Sequence, residues 1–461
     1  MSRIIFIISI LLQINILVIL DENRFYTLSD NGEKGSALTS FTNNLILISS
    51  SKKYNIINKN YNLIQDNKND AQGQNYFSNN FEIVESSINK VTNESIILIA
   101  ESSTGNKINL YSFNISDSLE EGKNPKLIYS INSAVDNRKI SFIKVGNDKY
   151  LLSYFLAGNK FENLFFKYSS YGSFEIIKKF ENIGTEYKYY ISCFLLYEQF
   201  PICYYSEKGR DALNNIICSQ KIIALDIIFN NNDNRVSKTV FNSDYNDCFF
   251  TKAVYLSNDY AIFCYMGNNN HVYCGYAKLS INFVNFEISI ETTPTPTHIF
   301  ISDGCSLNLN KIDLIKVDDN KFLFGCVSND NKPIIKLITV DGTSSSIQNF
   351  DIGNNVKSTL TLFSHHLSDN NNHYGIIFND LSDNKLKYGY LNMYKCIPKT
   401  NKEILQIKFL ENANKFKFDD YLDISIENPI SSSSSTPYVI KYIIISLISI
   451  DNDNNNFNNG L

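Results

Sequence analysis

Short apolar runs separated by breaks rich in Asn, Asp, Gly and Lys recur along the chain. The series opens with NLILIS from Asn44, SIILIA from Ser95, KYLLSYFL from Lys149 and FPICYY from Phe200. It is completed by YAIFCYM from Tyr260, KFLFGCV from Lys321 and HYGIIF from His373. Most are followed by a polar turn and a partner run, such as KINLYSF from Lys107, HVYCGY from His271 or KLKYGYL from Lys385. Several are preceded by a run that ends in an acidic or Asn turn: Val145 leads into GNDKY, Leu256 into SNDY and Val317 into DDNKF. Ile, Tyr and Phe suit a pleated, half-buried surface, and Asn and Asp tolerate the left-handed backbone of tight turns. The pattern therefore predicts many antiparallel strands and no long helix.

The leading runs start at 44, 95, 149, 200, 260, 321 and 373, so they are spaced by 51, 54, 51, 60, 61 and 52 residues. That period predicts an all-β chain: a seven-bladed β-propeller of four-stranded antiparallel blades over 21–398. One four-stranded blade has two faces to cover and is marginal alone, whereas neighbours arranged in a ring cover both. The chain resembles seven-bladed propellers in this period only. It lacks the Trp-Asp ending of WD repeats and the paired glycines of kelch repeats, and with no Trp it has no sialidase-type motif. An irregular pair of β-sandwiches is the alternative architecture.

Both ends depart from the repeat. Arg3 followed by the apolar run Ile4 to Leu20 reads as a signal peptide over 1–20, with an uncleaved anchor as the alternative and the one predicted route to a membrane. After Pro398 the pattern becomes a short β and linker segment, 399–461, with a Ser-rich stretch from Ser431 and an Asn-rich tail. The apolar run Val439 to Ile450 contains Lys441 and is too short to span, so it reads as a buried strand or an incomplete segment.

Nine cysteines, none before Cys193, read in an exported chain as a disulfide framework with one left over. Cys264 and Cys274 face each other if Gly267 opposes His271 around an Asn268-Asn269-Asn270 loop. Cys203 and Cys218 are the second expected pair, closing the equivalent longer hairpin, whereas Cys305 with Cys326 fits a single hairpin less well. No Cys-x2-Cys pair occurs, so no zinc site is expected. Asn93 and Asn114 lie in N-glycosylation sequons.

The net charge of -5 and the absence of a basic stripe argue against nucleic acid as a partner. His365, His366 and His373 form the one histidine cluster; the pair His365-His366 sits before the turn Ser368 to Asn372 and His373 enters a strand, and the cluster reads as a solvated loop rather than as metal ligands. The tail Asp451 to Asn456 lacks the Gly and Glu of a calcium loop. No nucleophile elbow, P-loop or dinucleotide fingerprint occurs, so no cofactor or metal is expected and no catalytic residue is marked. The sequence thus predicts a secreted or cell-surface propeller that binds a protein or glycan. The alternative is a carbohydrate-active hydrolase with a pair of carboxylates in its channel.

Overall fold

The computed structural model describes the strands of residues 25–393 with part of their connections, and the short pieces 424–425 and 444–445. The leading runs form strands as the pattern demands. Leu45–Ser49, Ser95–Ser103, Lys149–Leu156, Phe200–Arg210, Tyr260–Gly267, Lys321–Val327 and Asn372–Asp380 are each the second strand of their own antiparallel sheet. Four-stranded sheets span 35–66, 81–131, 141–182, 188–243 and 313–350 in simple sequence order. In the last sheet Val356–His366, Asn372–Asp380 and Leu386–Tyr390 are joined by Phe25–Thr27 from the other end of the chain.

The expected set of seven four-stranded blades is corrected at one place: among the described residues six of these sheets have four strands, and the sheet of 248–302 has five. Its third strand, Val272–Asn282, is long enough for two partners on one edge. Lys278 to Asn282 pair with Glu287–Glu291, and Val272 to Cys274 pair with Ile299–Ser302.

The core is a set of slabs between neighbouring sheets. One joins Ile96, Leu98 and Leu110 to Phe142, Tyr150 and Phe166; another joins Phe194, Ile202 and Tyr204 to Phe263, Tyr265 and Leu279. Leu28, Leu45 and Leu47 pack with Phe363, Ile377 and Tyr388, which ties the first sheet to the last. The first strand of each sheet touches the first strand of the next, and Val356–His366 touches Gly35–Thr39, so the order closes on itself. Each sheet covers the apolar face that its neighbour cannot bury alone. This is an all-β propeller with four-stranded antiparallel blades.

Closure rests on the terminal strand. Phe25, Tyr26 and Thr27 lie opposite Gly389, Tyr388 and Lys387, and the Leu28 amide donates to the Leu386 carbonyl at 2.9 Å. Tyr26 stacks on Tyr388 with ring centroids 5.2 Å apart. Inside the same sheet Gly375 is obligatory, because a Cβ there would stand 2.4 Å from both the Gly389 carbonyl oxygen and the Phe363 ring.

Asp380, at the end of that sheet's second strand, is buried at 1% exposure. Its carboxylate accepts hydrogen bonds from the Ser382 amide and hydroxyl, the Asn354 amide and the Lys387 ammonium. Burial alone would raise its pKa, but the Ser382, Lys387 and Asn354 hydrogen bonds outweigh burial and bring it down to about 2. The carboxylate is more acidic folded than unfolded, so its contribution is full above about pH 4 and is lost as the pH falls towards 2. The melting temperature of Asp380→Asn is expected to lie below that of the natural protein at pH 7. Melting curves should show that gap shrinking between pH 4 and pH 2.

Among the described residues four disulfides join Cys193 to Cys203, Cys218 to Cys248, Cys264 to Cys274 and Cys305 to Cys326. Around the Cys264–Cys274 bond the Gly267 amide donates to the His271 carbonyl, and Asn270 adopts a left-handed φ of 63°. The expected bond between Cys203 and Cys218 is corrected. Cys203 lies opposite Cys193 on one side and Ile223 on the other, while Cys218 lies opposite Lys208. Cys218 instead crosses to Cys248, in the next sheet, and Cys305 reaches Cys326 from outside the hairpin that contains Cys326. These bonds are consistent with an extracellular protein.

The chain divides into two compact units, Met1–Met393 and Tyr394–Leu461. In the second, Ile424–Ser425 pairs with Ile444–Ile445, the latter within the run expected to be a strand. The segment 1–20, Asn93, Cys396 and the Ser- and Asn-rich stretches lie outside the described residues.

Candidate functional site

The first strands form edges that face the axis of the ring, where an amide without a partner on its own sheet needs one elsewhere. Side chains from neighbouring first strands supply it. The Ser141 hydroxyl accepts the Cys193 amide at 2.8 Å, Ser192 accepts Ala253 at 3.1 Å, and Asp313 accepts Leu362 at 2.9 Å. Thr361 closes the series by donating to the Gly35 carbonyl at 3.0 Å. The polar position recurs at 141, 192, 252, 313 and 361, each time followed by apolar residues. At 252 it is a lysine, whose ammonium stands 3.3 Å from the Asp313 carboxylate. Burial pushes the Lys252 pKa down, but the charges of Asp313 and Glu82 outweigh it and hold the ammonium protonated. Asp313 also accepts the amide of its own neighbour Leu314. Its oxygens are therefore engaged by two backbone amides and one ammonium, the arrangement of a structural clasp.

A second constellation lies where the turns between first and second strands meet. Lys188–Leu196 and Phe200–Arg210 are joined through Tyr197, Glu198 and Gln199, and the Gln199 amide donates to the Leu196 carbonyl. Tyr197 and Glu198 have φ of 53° and 58°, so both central residues are left-handed, as in a type I′ hairpin turn. Asn and Gly are the residues that turn favours. A left-handed conformation costs an ordinary residue about 1–2 kcal/mol, yet here it is imposed on a tyrosine and a glutamate.

The turn presents Tyr197 to the neighbouring sheet. Its ring meets Tyr255 edge to face with centroids 6.4 Å apart, and Phe200 stands at 6.5 Å on another side. Tyr255 lies near the end of the strand Cys248–Ser257, and Asp259, left-handed at φ 71°, follows that strand in the turn. The Tyr197 hydroxyl donates to the Asp259 carboxylate; burial first, then this bond and the Asp259 charge, push the Tyr197 pKa up to about 12. Burial also raises the Tyr255 pKa; the Asp259 amide donates to its hydroxyl and opposes the rise, while the charges of Asp259, Glu198 and Asp319 add to it. Both phenols are thus anchored on one residue and neutral at pH 7. The turn of the following sheet joins in: the Ser257 hydroxyl donates to the Asp319 carbonyl, and Lys316 bonds the Asp319 carboxylate at 3.1 Å.

Both tyrosine rings are half-buried on the slab between their sheets and half-exposed above it. Glu198 is exposed, so replacing it with glycine relieves backbone strain and deletes no packing. Glu198→Gly is expected to raise stability by about 1 kcal/mol, measurable by urea denaturation as a higher midpoint with an unchanged slope.

The residues singled out in the sequence lie elsewhere. Asn114 is half-buried in the strand Lys107–Ile115. The histidine pair is not in a solvated loop. His365 and His373 are directly opposite each other in the last sheet, and His365 is fully buried, its Nδ1 2.6 Å from the Tyr390 hydroxyl. Apolar neighbours in the strand Val356–His366 carry His365 inward, while His373 is half-buried. Among the described residues no group of three His, Cys, Asp or Glu side chains is placed to hold a metal. The recurring inner polar position was visible as a polar residue heading SFI, SCF, KAV, DLI and TLF at the repeat period. The tyrosine platform left no comparable trace, since Tyr is common throughout the chain and Tyr-Glu does not mark a tight turn.

No family model matches the chain, and no curated protein matches it. As a propeller it is similar to several solved structures. The BP39L lectin from Burkholderia pseudomallei aligns at a TM-score of 0.48 and 7% identity, over 77% of this chain and 97% of that one. The Cps50 (Swd1) β-propeller domain of Myceliophteria thermophila aligns at 0.41 and 8%, over 80% and 98%. The α-L-arabinanase of Penicillium chrysogenum, complexed with arabinobiose, aligns at 0.39 and 12%, over 68% and 92%. These likenesses concern the fold and say nothing of a ligand or a reaction for this chain.

Proposed function

We propose that this chain is an exported interaction module that binds a protein or glycan ligand through the turns at one end of its sheets. The observation that carries this reading is the Tyr197–Glu198 turn, where two left-handed residues hold a tyrosine against a second one anchored on the same aspartate. Strain of that kind persists where the surroundings impose it and gathers at functional sites. Rigid, half-exposed aromatic rings make good binding anchors because little conformational freedom is lost when a ligand arrives. Tyr171 adds a further presented ring. It is 70% exposed on a turn in which the Ser169 hydroxyl accepts the Tyr171 and Ser173 amides.

The hydrolase alternative asks for two carboxyls free to protonate and to stabilise a cation. The axial acid Asp313 is instead bound to two amides and Lys252, which favours binding over catalysis. The test is to probe the natural protein and Tyr197→Asn/Tyr255→Leu on arrays of glycans and of recombinant ectodomains. The reading expects a ligand retained by the natural protein and lost, by roughly 10-fold or more, in the variant. A ligand held equally by both would remove the platform from the account. Release of reducing sugar from a polysaccharide would establish the hydrolase instead.

A further inference from the structure

The platform has a charge as well as a shape. Glu198 projects from the turn beside Tyr197, the Asp259 carboxylate holds the Tyr197 hydroxyl, and Asp319 approaches Tyr255 from the following sheet. Among these groups Lys316 answers Asp319, leaving Glu198 and Asp259 in excess. The face of a tyrosine ring is itself the negative end of a quadrupole, so rings and carboxylates point the same sign of potential at one place. An anionic ligand would be repelled there, and a neutral sugar would gain nothing from the surplus charge. A guanidinium or ammonium gains from both, stacking on the rings while the carboxylates accept its hydrogen bonds.

We infer that the platform docks a basic segment of a partner protein, seating an arginine or lysine side chain against Tyr197 and Tyr255 between the carboxylates of Glu198 and Asp259. The inference rests on the interaction-module reading and narrows its ligand to one class. The rings are already oriented, so the partner's cation meets a formed site.

The test uses the full chain and a fluorescent heptapeptide of alternating glycine and arginine, compared with the same peptide carrying citrulline for arginine. Citrulline keeps the shape and removes the charge. Fluorescence anisotropy at low salt, where charges act over roughly 10 Å or more, is expected to show the arginine peptide bound about 10-fold more tightly. Tyr255→Leu and Glu198→Gln should each weaken it by about 5-fold. Asp330→Asn, in the exposed turn between the second and third strands of 313–350, should leave it unchanged. Glu198→Gln alters an exposed side chain, so the result does not depend on the more buried Tyr255 variant folding.

Equal binding of the two peptides would overturn the inference. So would arginine binding that Asp330→Asn weakens as much as Glu198→Gln does, since that is diffuse attraction to an acidic surface. A chain that retains a glycan but no arginine peptide keeps the interaction-module reading and loses this one.

Discussion

Reduced under native conditions, the protein is expected to unfold at 37 °C, with its cooperative melting transition lost. The bonds close loops of 10, 30, 10 and 21 residues. By the chain-entropy estimate they contribute about 2.5–4 kcal/mol each, or about 12 kcal/mol together. That is the size of a whole domain's stability. All four lie between Cys193 and Cys326, so reduction strikes one continuous arc of the ring. The Cys218–Cys248 bond matters most, because it alone ties the third strand of one sheet to the first strand of the next across their shared slab. Cys218→Ser/Cys248→Ser is expected to cost about 3–4 kcal/mol, measured as a fall in the urea midpoint. The hairpin variant Cys264→Ser/Cys274→Ser should cost less, about 2–3 kcal/mol. Scanning calorimetry with and without reductant checks the larger effect; a reduced protein that melts at the oxidised temperature would remove the disulfides from the stability account.

Deletion through Leu28 is expected to open the ring. The Phe25–Thr27 strand is the outer member of the last sheet, and Leu28, at 2% exposure, belongs to the slab between the last sheet and the first. Without them Leu386–Tyr390 becomes an exposed edge, and Leu45, Leu47 and Ile377 lose part of their cover. Burying Leu28 alone is worth roughly 2–3 kcal/mol, and the lost pairing adds to it. Limited proteolysis should then cut first in the outermost sheets at the seam. The milder Leu28→Ala should cost about 2–5 kcal/mol with closure retained, which separates lost packing from lost pairing.

Much of this architecture was legible in the pattern of apolar runs. The second strands are the most buried in each sheet and so the most uniformly apolar: Leu45–Ser49 is buried throughout, and Lys321–Val327 in all but its first residue. Position inside the sheet is what made them visible. The outer strands were not read, for the converse reason. Ser344–Phe350 is SSSIQNF and Phe174–Asn182 mixes Lys and Glu with exposed Ile176 and Ile177, because one edge and much of one face meet water. Phe25–Thr27 is three residues long and pairs with a strand more than 350 positions away, so no local pattern could reveal it. The partner of Cys218 is illegible for a related reason: hairpin register relates residues within one sheet, and Cys248 lies across a slab in the next. The tyrosine platform was least legible, because a left-handed Tyr-Glu pair goes against local preference and is held by tertiary contacts with Tyr255 and Asp259.

Thr27 and Lys387 are opposite each other in the closing pair, so Thr27→Cys/Lys387→Cys places two sulfurs within reach only when the ring is shut. We expect these cysteines to bond spontaneously in the oxidised protein, with peptide mapping recovering a 27–387 crosslink and resistance to proteolysis at the seam rising. Two thiols that stay free and alkylatable in the folded protein would contradict closure by the N-terminal strand, and with it the ring that holds the tyrosine-bearing turns together.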